Sequence, residues 1–167
     1  MTPEEKQLLL VDLCARLPYE LKGKCEIDAS YDTSFDTIYQ LHKFDAILEG
    51  IKGDLLFVTP LIEDKDEQEF ANEEVADGID ILDFKPYLRS LSSMTEEELY
   101  EVQEILGEEV EIRDGFISII DSSICSFTYL ELQAVFEWFN TYHFDYRGLI
   151  EKGLAIEVTE ENNPYKL

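Results

Sequence analysis

The same four-residue device opens three segments of this chain, and it fixes where helices must begin. Thr2-Pro3-Glu4-Glu5, Thr95-Glu96-Glu97-Glu98 and Thr128-Tyr129-Leu130-Glu131 each place a Thr three residues before a Glu. In such a capping box the Thr oxygen accepts from one orphaned backbone N–H, and the Glu carboxylate reaches back to another. Pro3 is a preferred first helical residue, and first-turn carboxylates suit the positive end of the helix dipole. Helical periodicity follows each box. Leu9, Leu10, Leu13, Cys14 and Leu17 recur at three- and four-residue steps until Pro18, which predicts a helix over 3–17. Leu99, Val102 and Leu106 form a stripe ended by Gly107, which predicts a second over 96–106. Leu132, Val135, Phe136 and Phe139 predict a third over 129–142. This last segment is the most aromatic and is expected to centre the core.

Between the first two helices the period changes to two. Lys24-Cys25-Glu26-Ile27-Asp28 alternates, and residues 37–44 alternate in part. Residues 46–49 lead to Gly50-Ile51-Lys52-Gly53, a turn signal, and residues 54–60 are a short apolar run closed by Pro60. These predict three or four strands of an antiparallel meander. Residues 63–78 have weak periodicity and read as a loop or an exposed helix. Asp114-Gly115 before residues 116–120 predicts a turn into a further strand. The fold class is therefore α+β: an N-terminal helix, a small antiparallel sheet of three to five strands, and two further helices packed on it. Residues 1–160 are expected to form one domain and residues 161–167 a loose tail.

Acid dominates the charge. Asp and Glu number 38 against 13 Lys and Arg, for a net charge of −25. Residues 63–83 carry ten acids against Lys65, and residues 96–114 carry nine against Arg113. The windows contribute −9 and −8, so −17 of the total is concentrated in them. An apolar share of 45% still supplies a core, so a folded domain with an acidic surface is expected, steadier in moderate salt. Such a field repels nucleic-acid phosphate, which argues against direct nucleic-acid binding, and attracts basic surfaces. Met1-Thr2-Pro3-Glu4-Glu5 is not the basic-then-apolar opening of a secretory signal. No window offers the roughly 20 apolar residues of a membrane span. A cytoplasmic location is expected, with Cys14, Cys25 and Cys125 as reduced, buried thiols.

Motifs for chemistry are sparse. Asp64-x-Asp66-x-Gln68 begins like a calcium loop but lacks the Gly at position six, and Val75 stands where a Glu is needed. Three scattered Cys and two distant His match no zinc spacing. No glycine-rich phosphate loop and no Gly-x-Ser-x-Gly occurs. No metal, cofactor or catalytic residue is therefore assigned. The nine Tyr exceed what a core of this size needs. Tyr19, Tyr31, Tyr87, Tyr100, Tyr129, Tyr142, Tyr146 and Tyr165 mostly neighbour polar residues or turns, which suits either a core rim or a surface that grips a basic partner.

Three stretches carry a resemblance. They are Leu13-Cys14-Ala15-Arg16-Leu17-Pro18-Tyr19, then Phe84-Lys85-Pro86-Tyr87-Leu88-Arg89-Ser90-Leu91-Ser92-Ser93-Met94-Thr95-Glu96-Glu97-Glu98, and His143-Phe144-Asp145-Tyr146-Arg147-Gly148-Leu149-Ile150-Glu151-Lys152-Gly153-Leu154-Ala155. They resemble a family of small uncharacterised acidic proteins from gut Bacteroides-type bacteria and their phages or mobile elements. The family has no assigned activity, so the resemblance implies a setting and no site residues. The resemblance implies a bacterial host cell as the location, and a phage or mobile-element protein that binds a host protein is the natural expectation in that setting.

The leading expectation is a non-enzymatic acidic protein-binding domain. It would engage a basic, nucleic-acid-binding host protein by charge mimicry of DNA. Acids of the second window are partly explained as helix caps, so partner binding is assigned to Glu63, Asp64, Asp66, Glu67, Glu69, Glu73, Glu74 and Asp77. Two alternatives from other classes stay open. One is a small enzyme with a site assembled around His143 or His42 and a Cys. The other is a structural or assembly subunit, whose sign would be an apolar oligomeric interface. Oligomeric state is not legible in the sequence.

Overall fold

All three capping boxes form. In helix α1 (Pro3–Arg16) the Glu5 amide donates to Thr2 Oγ1 at 3.2 Å and the Thr2 amide to Glu5 Oε2 at 2.7 Å. Thr95 and Thr128 repeat the reciprocal pair at α3 (Glu96–Leu106) and α4 (Tyr129–Thr141). The computed structural model describes residues 1–32, 37–113, 116–120 and 127–166. The predicted Asp114-Gly115 turn and Cys125 lie outside them.

A fourth helix, α2 (Lys65–Glu74), occupies the first acidic window. Its start lacks the Thr-x-x-Glu signature. Asp64 is the N-cap instead, and its Oδ1 accepts from the Asp66 and Glu67 amides at 3.0 Å each. Asp80 likewise caps the turn at Ile81–Asp83 by accepting from the Leu82 amide at 2.9 Å. Acids of this window are thus partly caps too, as in the second.

The strands are β1 (Lys22–Asp32), β2 (Thr37–Lys52), β3 (Leu55–Pro60), β4 (Ile79–Asp80), β5 (Phe84–Leu88), β6 (Val110–Arg113), β7 (Phe116–Ile119) and β8 (Ile156–Glu157). Six form one sheet in the order β4-β3-β2-β1-β5-β8, and β6-β7 pair separately. The architecture is mixed α and β, with a larger sheet than the three to five strands expected. Two of its members, β4 and β8, are two residues long and leave no alternation to read. Every pairing within it is antiparallel except β5 with β8. The segments read as 37–44 and 46–49 are one 16-residue strand. Gly50 lies inside it at a register shift after Leu48, and the turn falls later, at Gly53 with φ +65°.

Two clusters make the core. The first joins Leu9 and Leu13 of α1 to Cys25, Ile27, Phe44, Leu48 and Leu56 of the sheet, and to Ala71 and Val75 below α2. The second joins Val102 and Leu106 of α3, Val110, Val135 and Phe139 of α4, and Phe144. So α4 does not centre the core. It buries Val135 and Phe139 but leaves Leu132 and Phe136 outside, because its apolar stripe is wider than α3 and Phe144 can cover. Cys25 is buried as expected, whereas Cys14 is exposed.

Residues 13–19, 84–98 and 143–155 meet beside the second cluster. Fully buried Arg16 donates to Asp12 Oδ2 at 2.8 Å, to the Phe139 carbonyl at 3.4 Å and to the Phe144 carbonyl at 2.7 Å. Arg147 donates to the other Asp12 oxygen at 2.7 Å. Arg89 grips Glu98 with two bonds of 2.6 and 2.9 Å, and its backbone exchanges bonds with His143 and Asp145. Buried charges are tolerated only when paired in this way.

The C-terminal segment touches the fold at Pro164 and Tyr165. The Tyr165 hydroxyl donates to the Tyr87 carbonyl at 3.0 Å, Lys22 Nζ donates to the Pro164 carbonyl at 2.8 Å, and the Tyr165 ring stacks on His143 at 4.1 Å. One aromatic anchor overrides the polar composition around it.

Candidate functional site

Helix α2 and strand β2 enclose a cleft of about 430 Å³. Strand alternation turns His42 and Phe44 toward the helix, with Ile27 of β1 opposite His42 in register. On α2, Glu67, Phe70, Ala71 and Glu74 stand at three- and four-residue steps and share one face. The cleft therefore has an apolar floor of Ile27, Phe44, Ile62, Phe70 and Ala71, and Asp66, Glu67 and Glu74 line it as carboxylates. All three acids are exposed. Lys43 also lines it, but its ammonium is held by Glu26 at 2.9 Å. That bond is the largest influence on Glu26 and holds its carboxyl below the ordinary value. Among the described ion pairs none sets a cation against the three carboxylates of the cleft.

Among the described residues the strand side is open as well. Strand β3 pairs with β2 only from Ala46 onward, and the Leu61 amide reaches Asp45 O at 2.7 Å. Strand residues two apart point their backbone groups to the same side. The backbone groups of Leu41 and Lys43 therefore face away from β1, toward the cleft, beyond the end of β3. His42 sits beside Phe70 at a ring distance of 4.9 Å, and its buried Nε2 has no hydrogen-bond partner among the described residues.

Of the eight residues assigned from sequence, the structure brings Asp66, Glu67 and Glu74 into the cleft. Asp64 is occupied at its edge as the helix cap. Glu63, Glu69, Glu73 and Asp77 are exposed elsewhere on the segment. The residues that sequence reasoning missed are the apolar ones, Phe70 with Ile27 and Phe44. Their signal was the helical spacing of Glu67, Phe70, Ala71 and Glu74 within a segment whose acidity masked it.

The side chains of the enzyme alternative sit in different surroundings. Burial, then the charges of Asp45 and Asp83, push the Cys25 thiol up to about 12. A thiol so raised stays protonated and weakly nucleophilic at neutral pH. His143 has φ +58° and is pushed down to about 3 by burial, then by Arg16, Lys22 and Arg89. It is a neutral imidazole sandwiched against Tyr165. Among the described residues no group of three or more His, Cys, Asp or Glu is placed to hold a metal. No helix of the described residues is long and apolar enough to cross a membrane.

No protein-family model, curated protein or solved structure matches the chain.

Proposed function

We propose that this chain is a non-enzymatic binding protein that seats a basic segment of a partner protein in the α2–β2 cleft. The observation that carries the reading is the shared face of Glu67, Phe70, Ala71 and Glu74 opposite Ile27 and Phe44. A Lys or Arg side chain has an apolar stem and a charged head, and it packs the stem on apolar surface while its head meets carboxylate. Charged rim contacts of this kind set association rate and partner choice more than raw affinity. The open β2 edge further suits an extended segment, which could hydrogen-bond to Leu41 and Lys43. In this reading the partner is a basic, nucleic-acid-binding protein, and the acidic helix offers it a substitute for phosphate. A bacterial or phage setting, as the three family-like stretches imply, gives such a protein its targets. The test is titration with a lysine- and arginine-rich peptide across a salt series. Binding that weakens steeply with salt, and weakens about tenfold or more on neutralising Asp66, Glu67 and Glu74, is the expected result. Binding indifferent to those three residues overturns the reading.

A further inference from the structure

Helix α4 presents an apolar face that nothing in the described fold covers. Tyr129, Leu132, Gln133, Phe136 and Asn140 recur at three- and four-residue steps, and Tyr129, Leu132 and Phe136 are 79%, 40% and 46% exposed. They line a groove of about 670 Å³ whose far wall is Tyr146 and Arg147. The Phe136 ring leans on Tyr146 at 5.2 Å, and the Tyr146 hydroxyl donates to Asn140 at 3.0 Å, so the wall is fixed. Exposed apolar patches on soluble proteins mark interaction surfaces.

Charge identifies the occupant. Helix α3 carries five Glu in 11 residues, and α2 carries five acids in ten against one Lys. Helix α4 carries only Glu131 and Glu137 in 13, and the groove itself holds one acid, Glu137, and one base, Arg147. A basic partner is drawn to the acid-rich helices. A chain of charge −25 can approach another copy of itself only where acid is scarce, and the α4 groove is such a place. Its single acid and single base are also self-complementary, which is what a two-fold interface requires, since each patch meets its own copy.

We propose that the α4 groove is where two copies of this chain pair. Leu132 and Phe136 of each copy enter the groove of the other, and Glu137 of one copy faces Arg147 of its partner. The pairing does not rest on the α2–β2 cleft, and salt acts on the two associations with opposite sign. Screening weakens attraction to a basic partner but relieves the repulsion between two acidic copies.

Sedimentation equilibrium of the full chain, from low salt to about 0.5 M NaCl, tests this. A monomer–dimer equilibrium that tightens at least fivefold with salt is expected. Leu132→Glu with Phe136→Glu should shift the dissociation constant at least tenfold toward monomer with unchanged circular dichroism, because both side chains are already exposed. Glu137→Arg, which sets two like charges face to face, should weaken pairing as well. A chain that stays monomeric at high salt and high concentration overturns the proposal. So does a dimer indifferent to these substitutions, and so does a monomer that uses the face only for an added amphipathic peptide.

Discussion

Asp12 shows how much of this molecule depends on single polar contacts. It is fully buried, with Arg16 on one oxygen and Arg147 on the other. Removing one member of a buried pair strands the other charge, at a cost of about 3–5 kcal/mol, whereas replacing both with apolar groups is far milder. Asp12→Ala should therefore lower urea stability by about 3–5 kcal/mol, and Asp12→Leu with Arg16→Met should cost less than the two single changes added together. Additive costs would show that the ion pair is not the unit. His143 is the second residue with a defined consequence. Its value is depressed, from the ordinary 6.5 to about 3, so the unfolded chain takes up its proton first as pH falls. Its contribution is fully present above about 6.5 and is lost progressively as pH drops toward 3. Stability should decline between pH 7 and 5, where carboxylates of ordinary value stay ionised. His143→Asn, which keeps a residue suited to positive φ, should flatten that decline in denaturation measured across pH. An unchanged slope would assign the pH dependence to other groups.

At the scale of elements, caps decide what exists and burial decides which way it faces. Asp64 starts α2, and removing a cap of this kind costs about 1 kcal/mol. Asp64→Ala should thus speed amide exchange in Lys65–Glu74 selectively, leaving the other helices as they were. Uniform loss across the fold would contradict a local role. The helices with Thr-x-x-Glu were legible because the box and the apolar stripe agree, down to the Gly107 stop of α3. Helix α2 was ambiguous because an Asp cap leaves no fixed partner three residues on and only Ala71 and Val75 are buried beneath it. The strands of two residues, Ile79–Asp80 and Ile156–Glu157, were illegible because their pairing is set by partners distant in sequence. The acids of the cleft were legible as a charge, but Phe70, Ile27 and Phe44 were not, since a floor made by two strands and a helix has no local pattern. Helix α4 misled in the opposite sense. Its stripe of Leu132, Val135, Phe136 and Phe139 is apolar enough for a core centre, yet half of it faces out.

At the scale of the whole molecule, the acid is divided between two structural units. Helix α2 is fastened to the first core cluster by Ala71 and Val75, and α3 to the second by Val102 and Leu106. The −9 and −8 windows are therefore two separate acidic elements, and among the described residues only the first borders a cleft with an apolar floor. That distinction makes the account testable against a pure charge effect. Three surface charges, at roughly 0.2–1 kcal/mol each, amount to about tenfold in affinity when lost together. The most direct measurement is the dissociation constant of a lysine- and arginine-rich peptide at low salt for two triple variants of equal charge. Asp66→Asn, Glu67→Gln and Glu74→Gln should together weaken binding about tenfold or more. Glu97→Gln, Glu108→Gln and Glu109→Gln, placed in the other window, should change it by less than about threefold. Equal losses from the two variants would mean that net charge alone attracts the peptide, and the cleft would not be the site.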